Sequence, residues 1–407
     1  MGKFTPVSSV WIQLLLFVAL MGEVLSSTFW IETLGINACR WIHFFSGIVI
    51  GGGILFRTSA PVPRAPQLHQ GVFYLLLCSL IVWVGIRLNY LFKLNPLDYT
   101  HADMLPVIRV MADRFIHSQP VYEVIPEIWG GVMPVYLPGL WLPFVPALAL
   151  NIDLRWITTL FILSSLIFLF TLIRGNKRSL LVWIPIGLWF DFILYNRNET
   201  MVWSEEGVVY GYYMLFALAL YLRSYLGIGV LLACCLLSRY SIVFFASSLM
   251  ACIYFYESAK NFRSIFLSAT ITGLVLITLG GAWSSLLQFI GLPGQYLKNL
   301  ESNPAKYQEV MSQGLGFVPW LQGLDDHWIY RIMLVSLIVL AVLIFYFYRR
   351  WSDPLYLLAG LKFTLLIFYH LVLIPYPYLF YTSVWVSVVL VYIYFNHVNP
   401  IKIAESS

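Results

Sequence analysis

The sequence predicts an all-α, polytopic integral membrane protein. Hydrophobic residues make up 60% of its 407 residues and charged residues only 11%, against about half and about a quarter in an ordinary soluble domain. Mean hydropathy is +0.81. The apolar residues fall in repeated runs near the roughly 20 residues that a helix needs to cross a bilayer core. So few polar side chains cannot cover a water-facing surface, which excludes a soluble enzyme, a disordered chain, a disulfide scaffold and a nucleic-acid binder. The net charge of +5 reads as bias in the loops rather than a binding patch. Aromatic residues, 17% of the chain, suit the headgroup level of a membrane.

The runs read in order as about twelve spans. The first, near 9–27, follows Lys3 and precedes Ser26-Ser27, so it resembles a secretory signal; we read it as an uncleaved span. The next two, 36–56 and 71–92, enclose Arg57 and Arg64. Spans at 155–173 and 180–195 are divided by Arg174-Gly175-Asn176-Lys177-Arg178. Those at 208–223, 226–238 and 241–256 come close behind, and Lys260-Asn261-Phe262-Arg263 reads as the loop before 265–289. The last three lie at 330–348, 355–374 and 378–396, with Arg349-Arg350 read as a loop after the first of them.

One further run, 136–150, is interrupted by Pro138, Pro143 and Pro146. Proline removes backbone donors and kinks helices, so this is a poor straight span. Basic loops belong on the cytoplasmic side. All the basic loops share that side only if 136–150 lies along the outer face without crossing. Both termini are then inside. The chain is one polytopic domain over 1–407, with outer loops at 93–151, 196–207 and 291–330. The outer loops are long and the inner ones short and basic, which places the work at the outer face. Cys39, Cys78, Cys234, Cys235 and Cys252 lie in or beside apolar runs without metal-ligand spacing and read as small buried hydrophobes.

The first outer loop carries the strongest chemical signal. Asp98 and Asp103 come after the third span within one to two helical turns of its end, at the membrane–water boundary. A carboxylate held there can take a proton from a sugar or lipid hydroxyl while the substrate's lipid part stays in the bilayer. Acids in loops are ordinarily just solvated. Asp103 stands apart because of its neighbours on the C-terminal side: an amphipathic stretch over about Met104–Ile116, then Gln119-Pro120-Val121-Tyr122, then Tyr136-Leu137-Pro138-Gly139. This order resembles the first outer loop of GT-C glycosyltransferases, the membrane enzymes that use polyprenyl-phosphate sugars. It is most similar to the polyprenyl-phosphate-mannose-dependent mannosyltransferase branch. Asn151–Trp156 and Leu236-Leu237-Ser238-Arg239-Tyr240 extend the resemblance over about 95–260. Two spans precede the one that feeds the Asp loop, a departure from the simplest family pattern.

The resemblance implies an inverting transfer of mannose, or another hexose or pentose, from a polyprenyl-phosphate donor to a lipid or glycan acceptor on the extracytoplasmic side. It places the family's general base on Asp103, with Asp98 as the fallback. In-line displacement needs one base and no covalent nucleophile. The second outer loop adds Glu205 and Glu206, placed to bind sugar hydroxyls or orient the acceptor, and the glycosylation sequon Asn198-Glu199-Thr200. A leaving phosphate calls for arginine, whose fork binds two oxygens at once. Arg239 at the outer end of a short run is the first choice, with Arg109 and Arg331 weaker ones. Tyr136 completes the substrate-binding set. Lys362 reads as snorkelling toward the cytoplasm, and His370 as a hydrogen-bonded core histidine.

No His/Cys cluster fits zinc and no Gly-rich loop fits a nucleotide. No cofactor is required, and a divalent cation is not indicated. The expected partners are the lipid-linked donor, the acceptor and membrane lipids. The absence of targeting and retention signals favours a bacterial cytoplasmic membrane. A transporter or flippase for a lipid-linked or amphiphilic substrate is the alternative. It would place its polar groups near the midplane, whereas the ionisable residues here gather at the outer ends of spans.

Overall fold

The computed structural model describes residues 9–55, 69–100, 102–128, 131–196, 199–283, 314–320, 326–351, 353–371 and 377–396. Among these the architecture is helical, with a single isolated antiparallel bridge, Ile125 to Val132. The described part of every segment read as a span is mainly helical. The helices α1 (Ser9–Ser26), α2 (Trp30–Leu34), α3 (Ile36–Leu55) and α4 (Gln70–Leu94) lead to the first loop, which holds α5 (Met104–Ile116), α6 (Pro138–Trp141) and α7 (Val145–Ala149). Then come α8 (Arg155–Leu172), α9 (Trp183–Tyr195), α10 (Glu199–Val202), α11 (Glu206–Tyr221), α12 (Tyr225–Leu236), α13 (Val243–Tyr256) and α14 (Ala259–Leu279). The chain closes with α15 (Asp326–Trp351), α16 (Pro354–Leu371) and α17 (Tyr381–Asn396).

Among the described residues, eight helical segments are long and apolar enough to cross a membrane. The other four segments read as spans are α1, α11, α12 and α13 with its leading turn; of these α11 has 16 residues and α12 only 12. At about 1.5 Å per residue, the 12 residues of α12 extend roughly 18 Å, short of a ~30 Å hydrocarbon core. Pro377–Asn396 is 94% buried within the protein and forms the axis of the bundle, whereas Ala259–Leu279 is 6% buried and lies at its edge.

Two boundaries differ from the sequence reading. Lys260–Arg263 is not a loop. It lies in the first turns of α14, because the Ser258 side chain caps the Asn261 amide and starts the helix at Ala259, six residues earlier than read. Arg349-Arg350 likewise sits inside α15. The proline-broken run is a chain of short turns, with a 3-10 turn at Leu142–Phe144 between α6 and α7, packed against α5. Of the loop at 291–330, residues 314–320 and 326–330 are described and the rest lie outside the described residues.

Close helix contact is made at glycines. A Cβ at Gly207 would lie 2.5 Å from the Thr158 carbonyl oxygen, and one at Gly211 2.9 Å from that of Phe161. Gly207 and Gly211 are four apart on one face of α11, the small-residue spacing that lets membrane helices approach backbone to backbone. This packing holds the start of α11, with Glu205 and Glu206, against α8.

Candidate active site

The end of α4 sets the first loop. The last carbonyls of a helix lack intrahelical partners, and here Arg155 meets them: its Nη2 donates to Phe92 O at 3.0 Å and its guanidinium lies 4.2 Å from the Phe92 ring centroid. Asp153 holds Arg155 from the other side, with Oδ2 accepting from Nη2 at 2.6 Å. The chain leaves this clamp through Asp98, whose carboxylate accepts from the Thr100 amide at 3.0 Å and from the Thr100 hydroxyl at 2.6 Å. Asp98 is thus engaged in a local turn.

Asp103 occupies the N-cap position of α5, yet its side chain makes no capping bond. It is half-buried, and among the described residues no cationic side chain pairs with it. Burial raises its carboxyl above the usual carboxylate range. Tyr136 is held by its backbone: the Tyr122 hydroxyl donates to its carbonyl at 3.1 Å and accepts from Trp141 Nε1 at 3.0 Å. The phenol of Tyr136 is raised well above its ordinary pKa, first by burial, then by the carboxylates of Glu205 and Asp103, against an opposing effect of Arg239. Glu205, Asp103 and Arg239 thus all act electrostatically on one phenol.

Beneath Tyr136 lies an unbalanced ion cluster. Arg239 Nη2 donates to Glu205 Oε1 at 2.9 Å and also pairs with Glu206 Oε1. Glu205 and Glu206 are 1% and 0% exposed, Arg239 28%. Two carboxylates on one guanidinium leave negative charge in excess. Glu205 Oε2, Glu206 Oε2 and Arg239 Nε are buried without a hydrogen-bond partner. Arg239 is brought here by the turn after α12, and Gly139 of α6 packs so closely on that turn that a Cβ would lie 2.7 Å from Leu237 O. Tyr212 of α11 donates to Gly139 O at 3.0 Å and locks the same junction.

Five of the residues picked from sequence, Asp103, Tyr136, Glu205, Glu206 and Arg239, thus come together. Asp98 and Arg109 do not: Arg109 is exposed on α5. Arg331 stacks over Trp328 at 4.9 Å, near the start of α15. Asn198 and the side chains of Glu199 and Thr200 lie outside the described residues. Residues that the sequence did not single out adjoin the cluster. The Tyr378 hydroxyl donates to Met104 Sδ at 3.3 Å, Tyr210 donates to Tyr378 O at 2.7 Å, and Tyr213 bonds Ser241 at 2.7 Å.

The structure also corrects Lys362. It does not snorkel: it is fully buried near the middle of α16, pairs with Glu23 of α1 and donates to Ser383 Oγ at 2.6 Å. The cause is the partner. A lysine with a carboxylate and a hydroxyl in reach need not extend to water. His370 is a hydrogen-bonded core histidine, with Nδ1 2.8 Å from Leu366 O and its ring centroid 5.2 Å from that of His43. Among the described residues no three His, Cys, Asp or Glu side chains converge as a metal site.

No protein-family model, curated protein or solved structure matches this chain.

Proposed function

We propose that this protein is a membrane glycosyltransferase that moves a sugar from a polyprenyl-phosphate donor to a lipid or glycan acceptor. The observation that carries this reading is the set of unpartnered buried atoms in the Glu205–Glu206–Arg239 cluster, which shares Tyr136 as an electrostatic neighbour with Asp103: two carboxylate oxygens able to accept and one guanidinium N–H able to donate. A ligand rich in hydroxyls satisfies such a set, and leaving it unsatisfied costs about 1–3 kcal/mol per group. In the reaction, the acceptor hydroxyl attacks the anomeric carbon and gives its proton to Asp103. The anomeric C–O bond breaks on the opposite side, and the polyprenyl phosphate leaves with the bonding pair. One displacement inverts the anomeric centre. Glu205 and Glu206 orient sugar hydroxyls. Arg239, already shared between two carboxylates, holds them in place, and its free Nε faces the ligand. Tyr136 closes the pocket over the base.

The reading includes about twelve spans with both termini cytoplasmic and the site on the outer face of a bacterial cytoplasmic membrane. The order of helix ends supports one common face, since the segments bearing Asp103, Glu205 and Arg239 all converge at one end of the bundle. Transfer from a panel of polyprenyl-phosphate sugars by purified protein, wild type against Asp103→Asn, tests it. Transfer by wild type and none by a folded variant supports the reaction and its base. Normal transfer by the variant removes Asp103 from the role.

One observation favours the transporter alternative. Glu23, Lys362, His43 and His370 form a fully buried polar group inside the bundle, with Glu23 Oε2, both His43 ring nitrogens and His370 Nε2 lacking partners. Ionisable groups at such depth often mark a translocation path. Movement of a labelled lipid across proteoliposomes, abolished by Glu23→Gln and unaffected by Asp103→Asn, would favour that reading over the first.

A further inference from the structure

Arg87 lies on the lipid-facing side of α4, seven residues before Leu94, so about 10 Å below that helix end. It lines a groove of about 300 Å³ with Trp83, Ile86, Tyr90 and Tyr195. Ile86, Tyr90 and Tyr195 are all exposed. The guanidinium is fixed in place but not spent. Its Nε donates to Leu194 O at 3.3 Å, one of the free carbonyls at the end of α9. Its face stacks over Tyr195 at 4.4 Å and Tyr90 at 5.1 Å. Its two terminal nitrogens bond nothing among the described residues, and no described carboxylate pairs with it, Asp191 on the preceding turn of α9 included. The Tyr195 hydroxyl accepts from Trp83 Nε1 at 3.4 Å, which leaves its own proton free to donate.

An uncompensated guanidinium fork and a free phenolic proton at the same spot, open toward the bilayer, match a phosphate diester. Below the groove, Val82 and Leu75 continue the same exposed face of α4 and offer a wall for an acyl chain. We infer that this groove binds an anionic glycerophospholipid of the surrounding leaflet, its phosphate on Arg87 and Tyr195 and one acyl chain along α4. Net charge selects the lipid: one cation with no protein counter-ion favours a headgroup of net negative charge over a zwitterionic one. The site is independent of the glycosyl-transfer reading, and none of its residues belongs to that cluster.

The test is native mass spectrometry of delipidated protein titrated with phosphatidylglycerol or phosphatidylcholine. The first phosphatidylglycerol should bind about fivefold more tightly than phosphatidylcholine, the weight of one basic residue near an anionic headgroup. Arg87→Gln should abolish the preference and Arg87→Lys should keep most of it. Because Arg87 also bonds the end of α9, Tyr195→Phe provides a second variant. It keeps the ring and should weaken both lipids by about fivefold, one hydrogen bond's worth of about 1 kcal/mol, since the phosphate diester is common to them. Equal binding of the two lipids by wild type overturns the inference. So does a preference that survives Arg87→Gln, or displacement of phosphatidylglycerol by far lower concentrations of a polyprenyl phosphate.

Discussion

Among the described residues, two charge clusters buried in the bundle differ in balance. In the core, Glu23 and Lys362 meet one to one, both 0% exposed, with Ser383 as a third partner. At the loop-bearing end, Glu205 and Glu206 share a single Arg239 that is 28% exposed, and Asp103 adds a further carboxylate without a cation. A one-to-one pair needs no ligand to neutralise its charge, even though Glu23 Oε2 has no hydrogen-bond partner. An unbalanced cluster that reaches the surface is completed only by something that binds. The difference predicts that breaking the first costs stability and breaking the second costs activity.

The largest expected effect is on the balanced pair. Lys362→Met leaves Glu23 as an uncompensated buried charge, which costs about 3–5 kcal/mol. Glu23→Leu combined with Lys362→Met removes both charges and should recover most of that loss. Unfolding in mixed detergent micelles checks both. A double variant as unstable as the single would mean that the pair does more than neutralise itself, and would move weight to the transporter reading.

Asp103→Asn is the matching break at the other cluster. Sugar transfer should fall by about two to four orders of magnitude, the usual effect of removing a general base, with the protein no less stable to unfolding at neutral pH, because the variant no longer buries a charge there. Steady-state transfer from a polyprenyl-phosphate sugar, alongside the same unfolding assay, separates the two effects. If both rate and stability fell together, the distinction between the clusters would collapse.

A pH profile sharpens the contrast further. Burial raises the Asp103 carboxyl above the usual range, so the base is lost by protonation at a higher pH than a solvated aspartate would require. The acidic limb of transfer should therefore have its midpoint above about pH 4, each unit below it lowering the rate about tenfold, and it should vanish in the residual activity of Asp103→Asn. The stability contribution has the opposite sense. A carboxyl raised on folding favours the native state below its unfolded pKa, and that contribution is lost as pH rises through the folded value. Activity rising with pH while this part of stability falls is the signature of a destabilised base.

The unbalanced cluster was legible in the sequence because its members sit where an apolar run ends, and a charge at such a boundary is conspicuous. Asp103, Glu205, Glu206 and Arg239 were all visible this way. Their mutual distances were not, because those depend on Gly207, Gly211 and Gly139, and only the packed helices reveal which glycine faces which backbone. The small-residue spacing Gly207-x-x-x-Gly211 was the available signal for that contact. The balanced pair was missed for the converse reason. Glu23 lies in a run that resembles a signal segment, 339 residues from Lys362, and a lone lysine within a span reads as snorkelling unless its partner is known. The twelve helical segments came from hydropathy, but their ends moved wherever a cap decided them, as Ser258 did for α14.

The smallest expected effect tests whether Tyr136 belongs to the chemistry or only to the frame. Tyr122 grips Tyr136 at its backbone, donating to its carbonyl while accepting from Trp141. Tyr122→Phe keeps the ring and removes both bonds, so it should cost about 1–3 kcal/mol of stability and slow transfer only a few-fold through looser placement of Tyr136. The acidic limb should stay in place, because Asp103 is untouched. Tyr136→Phe is the complement: it keeps the carbonyl that Tyr122 grips and removes the phenol from among Asp103, Glu205 and Arg239. A larger fall in rate for Tyr136→Phe than for Tyr122→Phe, with the smaller loss of stability, would place the phenol against the substrate. The reverse order would make Tyr136 a wall of the pocket, and would restrict the chemistry of the unbalanced cluster to its charged members.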